Sequence, residues 1–271
     1  MDAMDYYRNN YFSDRLIVAM EGDIDPARAL DRAQECFVLP RGLARSYTTF
    51  PFTPSVVERK SKDLPATKAT LLFKSMDSSA DSYKVHLEMM AQYALMATRG
   101  PIYSCVREIE KPLAYSVIPG HTALAAFKAN LFEFTAYPKN VGPVIEGIAK
   151  AIKGFVENPD REAIERMQVS GLKAAIDAIK RQPEIGPSGM VGDIFYRGVI
   201  DARDVYVDYY KRATCEEIVE AAKETFLNGA VSAVYRGTVS KKYPDTEKLC
   251  ELFKLDIPST SVAQGYTPAP K

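Results

Sequence analysis

The 271-residue sequence has no tryptophan and only two histidines, and the shortage of histidine excludes most hydrolytic mechanisms. His86 lies on a predicted helix but has no second histidine at i+4, which a zinc-binding helix requires. His121 lies in a predicted hairpin loop. No Gly-x-Ser-x-Gly motif is present, so a serine nucleophile is not indicated. We therefore expect no zinc site and no bond-breaking centre built from this chain alone.

Cysteine is also scarce, and its spacing excludes two further classes of site. The four residues are widely and irregularly separated and form no Cys-x-x-Cys pair: Cys36, Cys105, Cys215 and Cys250. Neither a zinc knuckle nor a dithiol redox motif is therefore indicated. Cys36 and Cys250 lie among apolar residues of predicted helices, so we expect buried, reduced thiols.

The charges of the chain are balanced, with 35 basic and 35 acidic residues. A nucleic-acid-binding protein typically carries a strongly basic face, and the composition does not indicate one. The first residues are acidic and lack an apolar core, so no secretory signal is visible. No apolar stretch has the length of a transmembrane span. These features predict a globular protein and leave its compartment open.

The hydrophobic periodicities predict an alternation of strands and helices. Near the N-terminus, the apolar run 16–20 predicts a buried strand, and Asp25-Pro26 begins a helix. The segment 46–65 contains several prolines and predicts a linker. Beyond it we expect strands at 69–73, 113–118, 127–137 and 231–235, the middle two joined near Gly120. We also expect a long helix ending near 98, and helices at 102–111, 140–157, 159–181, 188–199, 214–227 and 244–253.

Two segments of the sequence resemble each other, and we call them the internal repeat. Residues 11–37 contain an aromatic pair, a predicted strand, a glycine, and a helix with a cysteine and a phenylalanine. Residues 226–253 contain the same features in the same order. This pattern indicates two copies of one α/β unit, the first represented only by its final strand and helix. Chance similarity between two short segments is the alternative.

The segment from Cys105 to Val117 has the clearest chemical content. It places Arg107 at the end of a predicted helix and Tyr115 at the start of the next strand. Together the guanidinium and the phenolic hydroxyl could hold a peptide carbonyl and stabilise negative charge that develops on its oxygen. The alternative is structural: the arginine binds helix-end carbonyls or a surface acid, and the tyrosine packs in the core.

Several short motifs follow one another in a characteristic order. They are Asp5-Tyr6-Tyr7-Arg8-Asn9-Asn10-Tyr11-Phe12-Ser13, Leu16 to Met20, Gly22-Asp23-Ile24-Asp25, Cys36-Phe37, Arg107-Glu108 and Leu113-Ala114-Tyr115-Ser116-Val117, and the similarity ends after Gly237. This order resembles the pitrilysin or insulinase-like family of zinc metallopeptidases, peptidase family M16. Its relatives include the mitochondrial processing peptidases and the core subunits of the respiratory bc1 complex.

The resemblance implies an α+β fold of the LuxS/M16-like metallopeptidase type, an α/β sandwich whose mainly antiparallel sheet is covered by helices. It also implies four parts. They are the end of a preceding homologous α/β unit (1–45), a linker (46–65), a complete C-terminal-type unit (66–240), and a C-terminal helix and tail (241–271). The first part would expose an unpaired strand edge. We therefore expect a homodimer or association with the missing part.

Members of this family consist of two homologous halves that close on a peptide, and one half carries the inverted zinc motif. The other half supplies an arginine and a tyrosine that contact the substrate near the scissile carbonyl. By resemblance these correspond to Arg107 and Tyr115. Their spacing is one residue longer than usual, and Pro112 stands where the family tends to have glycine. The resemblance thus implies a half that is inactive alone, with no cofactor of its own and with zinc in its partner.

Two functions are consistent with such a chain. In the first, it binds oligopeptides or unfolded segments by adding them to a sheet edge and completes the active site of a zinc-bearing half. That half lies in the same polypeptide or in a separate subunit. In the second, it is a structural or assembly subunit without a peptidase role, like the bc1 core proteins.

Overall fold

The computed structural model describes residues 2–13, 16–42, 51–61, 64–75, 82–97, 100–107, 110–124, 127–181, 186, 190–191, 203–240 and 242–255. The helices are α1 (Ala3–Asn10), α2 (Pro26–Cys36), α3 (Ser82–Met96), α4 (Pro101–Val106), α5 (Val141–Glu157), α6 (Arg161–Arg181), α7 (Arg203–Arg212), α8 (Cys215–Phe226) and α9 (Thr246–Leu252). The strands are β1 (Val56–Lys60), β2 (Thr67–Lys74), β3 (Val117–Leu124), β4 (Phe127–Ala136) and β5 (Val231–Gly237). Among the helices of these residues, none combines the length and the apolar character that a membrane crossing needs.

In the described residues the strands form a five-stranded sheet in the order β1-β5-β2-β4-β3. β2 pairs antiparallel with both β4 and β5, and β3 pairs antiparallel with β4. β1 pairs parallel with β5. The register places Leu71 opposite Phe132 on one side and Ala233 on the other. The predicted fold, a mainly antiparallel sheet covered by helices, is confirmed.

Aromatic side chains fill the centre of the core beneath the helices. Alternate residues of β2 are buried, as expected for a strand with one covered face. The ring of Phe73 on β2 lies 5.9, 5.2 and 5.0 Å from the rings of Phe132, Phe226 and Phe253, measured between centroids, and all three contacts are edge-to-face. These contacts connect β2 and β4 with the ends of α8 and α9. The core therefore joins elements that lie far apart in the sequence.

The N-terminal part departs from the expectation of a buried strand. Residues 16–20 form no strand, and Leu16, Val18 and Met20 expose 38%, 41% and 47% of their surface. The helix α2 forms as predicted, but none of its residues is buried. The physical reason is that no strand of the described sheet lies beside residues 16–20, so their apolar side chains have no core to enter.

Three further expectations are wrong in detail. The predicted linker 46–65 contains β1, whose parallel partner β5 lies far away in the sequence. Gly120 does not join two strands but lies within β3, opposite Leu131. Cys36 is exposed because α2 packs on no core, and Cys105, Cys215 and Cys250 are half-buried. The helix predicted over 188–199 lies largely outside the described residues.

A capping box begins α8, and its carboxylate makes the stability of the folded chain depend on pH. The Thr214 hydroxyl accepts the backbone N–H of Glu217 at 3.2 Å, and the Glu217 carboxylate accepts the backbone N–H of Thr214 at 2.9 Å. The Tyr83 hydroxyl on α3 donates to the same carboxylate at 2.9 Å. The bond from the Thr214 backbone, reinforced by the Tyr83 hydroxyl, holds the pKa of Glu217 below its ordinary value. The ionised form is therefore favoured in the folded protein.

Glu217→Gln is expected to destabilise the folded chain at neutral pH and to have progressively less effect in acid. Because the pKa is lowered by folding, the carboxylate contributes stability above its unfolded pKa and loses it as the pH falls through the folded value. Urea unfolding of both proteins from neutral pH to about pH 2 measures this difference. Thr214→Ala is the control, because it removes the uncharged partner of the capping box. Its loss in the free energy of unfolding, about 1 kcal/mol, does not arise from titration of the replaced residue. A Glu217→Gln effect that stays constant over this range would contradict the expectation.

Candidate functional site

Arg107 is the C-cap residue of α4, and the chain returns to that helix before β3 begins. The Leu113 N–H donates to the Val106 carbonyl at 3.0 Å, which closes the intervening loop at its base. The Asn140 side-chain amide donates to the Leu113 carbonyl at 3.0 Å. These two bonds anchor the point from which the chain continues to Tyr115.

Arg107 and Tyr115 lie in contact at the surface. The Arg107 Nη1 donates to the Tyr115 carbonyl oxygen at 2.6 Å, and its guanidinium carbon lies 4.6 Å from the centre of the Tyr115 ring. This is a hydrogen bond combined with a cation–π contact. The Tyr115 side chain is 81% exposed, so the alternative of a tyrosine packed in the core is wrong. The arginine does bind a carbonyl, as its structural alternative proposed, but the carbonyl belongs to the tyrosine itself.

The strand that follows Tyr115 is an edge of the sheet. β4 pairs with one side of β3, and no strand of the described residues occupies the other side. Pro119 lies within β3, which is typical of edge strands because proline cannot donate a ladder hydrogen bond. Ile118 is 54% exposed. The open side of β3 therefore offers main-chain groups and an apolar side chain next to the Arg107–Tyr115 contact.

A buried polar network supports this edge, and the sequence analysis did not identify it. Glu88 on α3 is fully buried, and its Oε2 accepts hydrogen bonds from Ser75 Oγ at 2.6 Å and from Asn130 Nδ2 at 2.7 Å. Asn130 Oδ1 lies 3.3 Å from Nδ1 of His121, a residue of β3. The network thus connects α3, β4 and β3. A carboxylate on the apolar side of a predicted helix, as in His86-Leu87-Glu88-Met89-Met90, is the signal that could have revealed it.

Gln92 adds a second connection between α3 and the same strand pair. Its side-chain amide donates to the carbonyls of Gly120 at 3.1 Å and Leu131 at 2.8 Å. Gln92 is itself buried, so these bonds satisfy a polar group that water does not reach. Together with the Glu88 network they hold β3 and β4 against the helix.

Neither histidine belongs to a metal centre in the described residues. His86 is buried, and its ring lies 5.4, 5.4 and 4.7 Å from the rings of Tyr206, Tyr209 and Tyr210. His121 lies in β3 rather than in the predicted loop, beside Asn130. No group of three or more histidine, cysteine, aspartate or glutamate side chains in this part of the chain is arranged to hold a metal ion. Within the described ranges, therefore, no set of side chains fits a zinc ion.

In the described residues, a mainly antiparallel five-stranded sheet packs against helices, and no cluster of side chains is arranged to hold a metal ion. The family model described as Peptidase M16 inactive domain matches residues 2–169. The chain therefore belongs to the M16 peptidase family, as an inactive domain of that family. The resemblance inferred from the order of the motifs is thereby confirmed.

Solved structures show the same fold at low sequence identity. A chain of complex III2 from Candida albicans, in a structure with Inz-5 bound, has a TM-score of 0.68 and 12% identity over 86% of this chain. The peptidase M16 inactive domain from Pseudomonas fluorescens has a TM-score of 0.60 and 17% identity over 83% of this chain. The periplasmic protease PqqL from Escherichia coli has a TM-score of 0.60 and 14% identity over 79% of this chain.

The chain is shorter than these structural relatives. It spans 57% of the Candida albicans chain, 54% of the Pseudomonas fluorescens chain and 24% of PqqL. No curated protein matches it in sequence. The family model and the solved structures establish the family and the fold of this chain.

Proposed function

We propose that this chain is the non-catalytic half of a zinc metalloendopeptidase, which binds a peptide and completes the active site of a zinc-bearing half. The observation that carries the proposal is the surface contact between Arg107 and Tyr115 at the start of the open edge strand β3. Membership of the inactive M16 domains supports a chain that acts with another subunit or domain.

The peptide in this proposal binds as an additional strand along the outer side of β3. Main-chain hydrogen bonds supply affinity in this mode, and pockets for alternate side chains supply specificity. Ile118, half-exposed on β3, offers an apolar contact to such a strand. Because β3 is held to α3 by buried polar groups, the edge strand itself loses little conformational entropy when the peptide binds.

Arg107 and Tyr115 act on a carbonyl of the bound peptide in this proposal. The Tyr115 hydroxyl donates a hydrogen bond to the carbonyl oxygen, and the Arg107 guanidinium places its positive charge and further N–H donors nearby. Both groups stabilise negative charge as it develops on that oxygen. The metal ion and the attacking water belong to the zinc-bearing half.

The contact with the Tyr115 carbonyl supports this role despite the longer spacing of the two residues. The segment that leads to Tyr115 is anchored by the bond from the Leu113 N–H to the Val106 carbonyl. At this spacing the arginine reaches the backbone carbonyl of the tyrosine.

The test combines this chain with a zinc-bearing half and measures peptide hydrolysis. Arg107→Ala and Tyr115→Phe are each expected to lower kcat by about 10²–10³-fold, the usual effect of removing one donor to a developing oxyanion. The effect on KM is expected to be smaller, because these bonds strengthen in the transition state.

Two substitutions elsewhere serve as matched controls. Arg59→Ala removes an exposed arginine from the opposite edge strand β1, and Tyr137→Phe removes the hydroxyl of an exposed tyrosine after β4. Both are expected to leave kcat unchanged. Full activity of the Arg107→Ala/Tyr115→Phe double variant, with the fold intact by circular dichroism, would refute the catalytic part of the proposal.

A second candidate function is a structural or assembly subunit without a peptidase role. The observation that favours it is the likeness in fold to a chain of complex III2 from Candida albicans. The unusual spacing of Arg107 and Tyr115 is consistent with a lost contact to substrate. A stable complex that hydrolyses no peptide in any pairing would favour this second function over the first.

A further inference from the structure

The two faces of the sheet differ in burial. Along β2 and β5, alternate residues are buried beneath the helices, and the residues between them are half-buried or exposed. Residues paired between neighbouring strands project to the same side of a sheet, so the register assigns the residues of β1, β3 and β4 to the same two faces. We call the less buried side the open face.

The open face carries an excess of positive charge that the balanced composition of the chain does not predict. In the described strands its basic residues are Arg59, Lys68, Lys74 and Arg236, and its one acidic residue is Glu133. Lys68 forms an ion pair with Glu133, with 2.8 Å between the nitrogen and the oxygen. The two arginines and Lys74 therefore set the charge of this face.

Three of these cations form one row across adjacent strands. Arg59 of β1 is opposite Arg236 of β5, and Arg236 is opposite Lys68 of β2. Neighbouring strands lie about 4.8 Å apart, so the three residues span roughly 10 Å. We call Arg59, Arg236 and Lys68 the basic row.

The contacts within the described part of the chain do not explain the basic row. Like charges directly opposite one another destabilise a sheet, and neither arginine forms an ion pair with an acidic residue of the described ranges. Charged residues protect an edge strand from aggregation, which accounts for Arg59 on β1. It does not account for Arg236, because β5 lies between β1 and β2. A bound anionic group would offset the repulsion within the row.

The basic row points toward the start of β3, where Tyr115 lies. Lys68 is opposite Thr135 of β4. Because Val117 is opposite Phe134, Thr135 is level with the residue that follows Tyr115. In the sheet order, β2 and β1 lie two and four strands from β3, or about 10 and 19 Å. An extended peptide rises about 3.3 Å per residue, so roughly three to six residues cover this distance.

We propose that the open face binds an acidic segment of the peptide substrate, whose carboxylates contact the basic row. Arginine presents a fixed fork of donors that matches a carboxylate. Val57 and Val234, which pair with each other in the next row of this face, contact the aliphatic parts of the segment. The acidic residues lie roughly three to six residues from the cleaved bond. This placement rests on the proposed function, whereas the affinity for an acidic peptide does not.

Charge complementarity selects a peptide rather than a nucleic acid as the occupant. Nucleic-acid-binding domains typically present an extensive basic surface, whereas this chain has equal numbers of basic and acidic residues. The basic row is short and lies beside apolar side chains, of which Val57 is 44% exposed. A few carboxylates spaced along a peptide match such a surface.

The basic row is expected to act on KM and not on kcat. It lies about 10 Å or more from the reacting carbonyl, so it binds the substrate equally well in the ground state and in the transition state. Such uniform binding lowers KM and leaves kcat unchanged. The unchanged kcat expected for Arg59→Ala agrees with this, and Arg107 and Tyr115 are distinguished from the row by their effect on kcat.

Fluorescence anisotropy with the full chain measures the binding. The probe is a labelled peptide of alanine and serine with three glutamates, and the reference probe has glutamines at the same positions. We expect the acidic probe to bind at least about tenfold more tightly at low ionic strength. The difference is expected to disappear in about 1 M salt, because salt screens exposed charges.

Arg236→Glu is expected to abolish the preference for the acidic probe without destabilising the chain. It replaces the central charge of the row and relieves the like-charge contact with Arg59, so urea unfolding should show a stability at least equal to that of the unchanged chain. Arg166→Glu makes the same change of charge at an exposed position of α6, and it is expected to keep the preference. Arg236→Gln removes the charge with a smaller change and provides the same comparison if the glutamate variant does not fold.

Three results would overturn the proposal. They are equal binding of the two probes, a preference that survives both substitutions of Arg236, and a preference that Arg166→Glu abolishes as well. Tighter binding of a single-stranded oligonucleotide of equal charge would also overturn it, because the face would then fit a nucleic acid better than a peptide.

Hydrolysis in the complex with a zinc-bearing half tests the placement of the acidic residues. A single glutamate is moved along a peptide that is otherwise uncharged. We expect KM to fall only when the glutamate lies roughly three to six residues from the cleaved bond, on one side of it. A KM that does not depend on its position would overturn the placement. Intact binding of the acidic probe without hydrolysis in any pairing would instead refute the proposed function, and the acidic-peptide site would stand.

Discussion

Replacing Phe73 with alanine is expected to lower the free energy of unfolding by about 3–5 kcal/mol. Phe73 is fully buried on the central strand β2 and makes edge-to-face contacts with Phe132, Phe226 and Phe253. Removing the ring leaves a cavity bordered by three aromatic side chains, which cannot collapse without moving both β4 and the ends of two helices. Urea unfolding followed by circular dichroism measures the loss.

Phe37→Ala is the matched control, because it deletes the same side chain at an exposed position of the internal repeat. Phe37 is 48% exposed, so the change is expected to shift the free energy of unfolding by no more than about 0.5 kcal/mol in the isolated chain. Equal effects of the two substitutions would contradict the assignment of Phe73 to the core. They would also contradict the open state of the N-terminal segment.

Glu88→Ala is expected to lower the free energy of unfolding by about 2–5 kcal/mol, because the substitution removes the acceptor of two buried donors. Ser75 Oγ and Asn130 Nδ2 both donate to this carboxylate, and each buried group left without its partner costs about 1–3 kcal/mol. Since Asn130 also lies beside His121 on β3, loosening of the edge strand is expected as well. Hydrogen exchange of the β3 amides reports that second effect.

Glu133→Ala tests whether burial, rather than charge, causes the effect of Glu88. Glu133 on β4 forms a surface ion pair with Lys68 at 2.8 Å, and such pairs contribute at most about 1 kcal/mol. Glu88→Gln keeps the shape and one carbonyl acceptor, so it is expected to cost less than Glu88→Ala. A loss from Glu88→Ala as small as that from Glu133→Ala would show that the network does not support the sheet.

The candidate site could be predicted in part from the sequence. A predicted helix end and a predicted strand start bring the guanidinium of Arg107 and the hydroxyl of Tyr115 close together along the chain, and this pattern predicts the pair. The sequence does not predict the buried network, because Glu88, Asn130 and Ser75 are separated along the chain and only the fold brings them together. The role of Arg107 and Tyr115 toward a substrate stays a prediction.

Local signals indicated many of the helices and strands that this chain forms. The periodicity of β2, Asp25-Pro26 at the start of α2 and the capping box that begins at Thr214 act within a few residues, and the structure confirms these elements. The order of the motifs was likewise sufficient to predict the family. Each motif by itself is only moderately specific, and their common order is the stronger signal. The absence of an H-x-x-E-H motif was also readable from the sequence alone.

Only the tertiary structure decided how these elements are used. The parallel pairing of β1 with β5, the contact of Arg107 with the Tyr115 carbonyl and the burial of Glu88 depend on residues that the fold brings together. Residues 16–20 show the same principle in reverse. Their sequence has the pattern of a buried strand, but burial requires a neighbouring sheet, and the described part of the chain supplies none beside them. A strand pattern indicates that a segment can pair within a sheet, and only the surrounding structure supplies the partner.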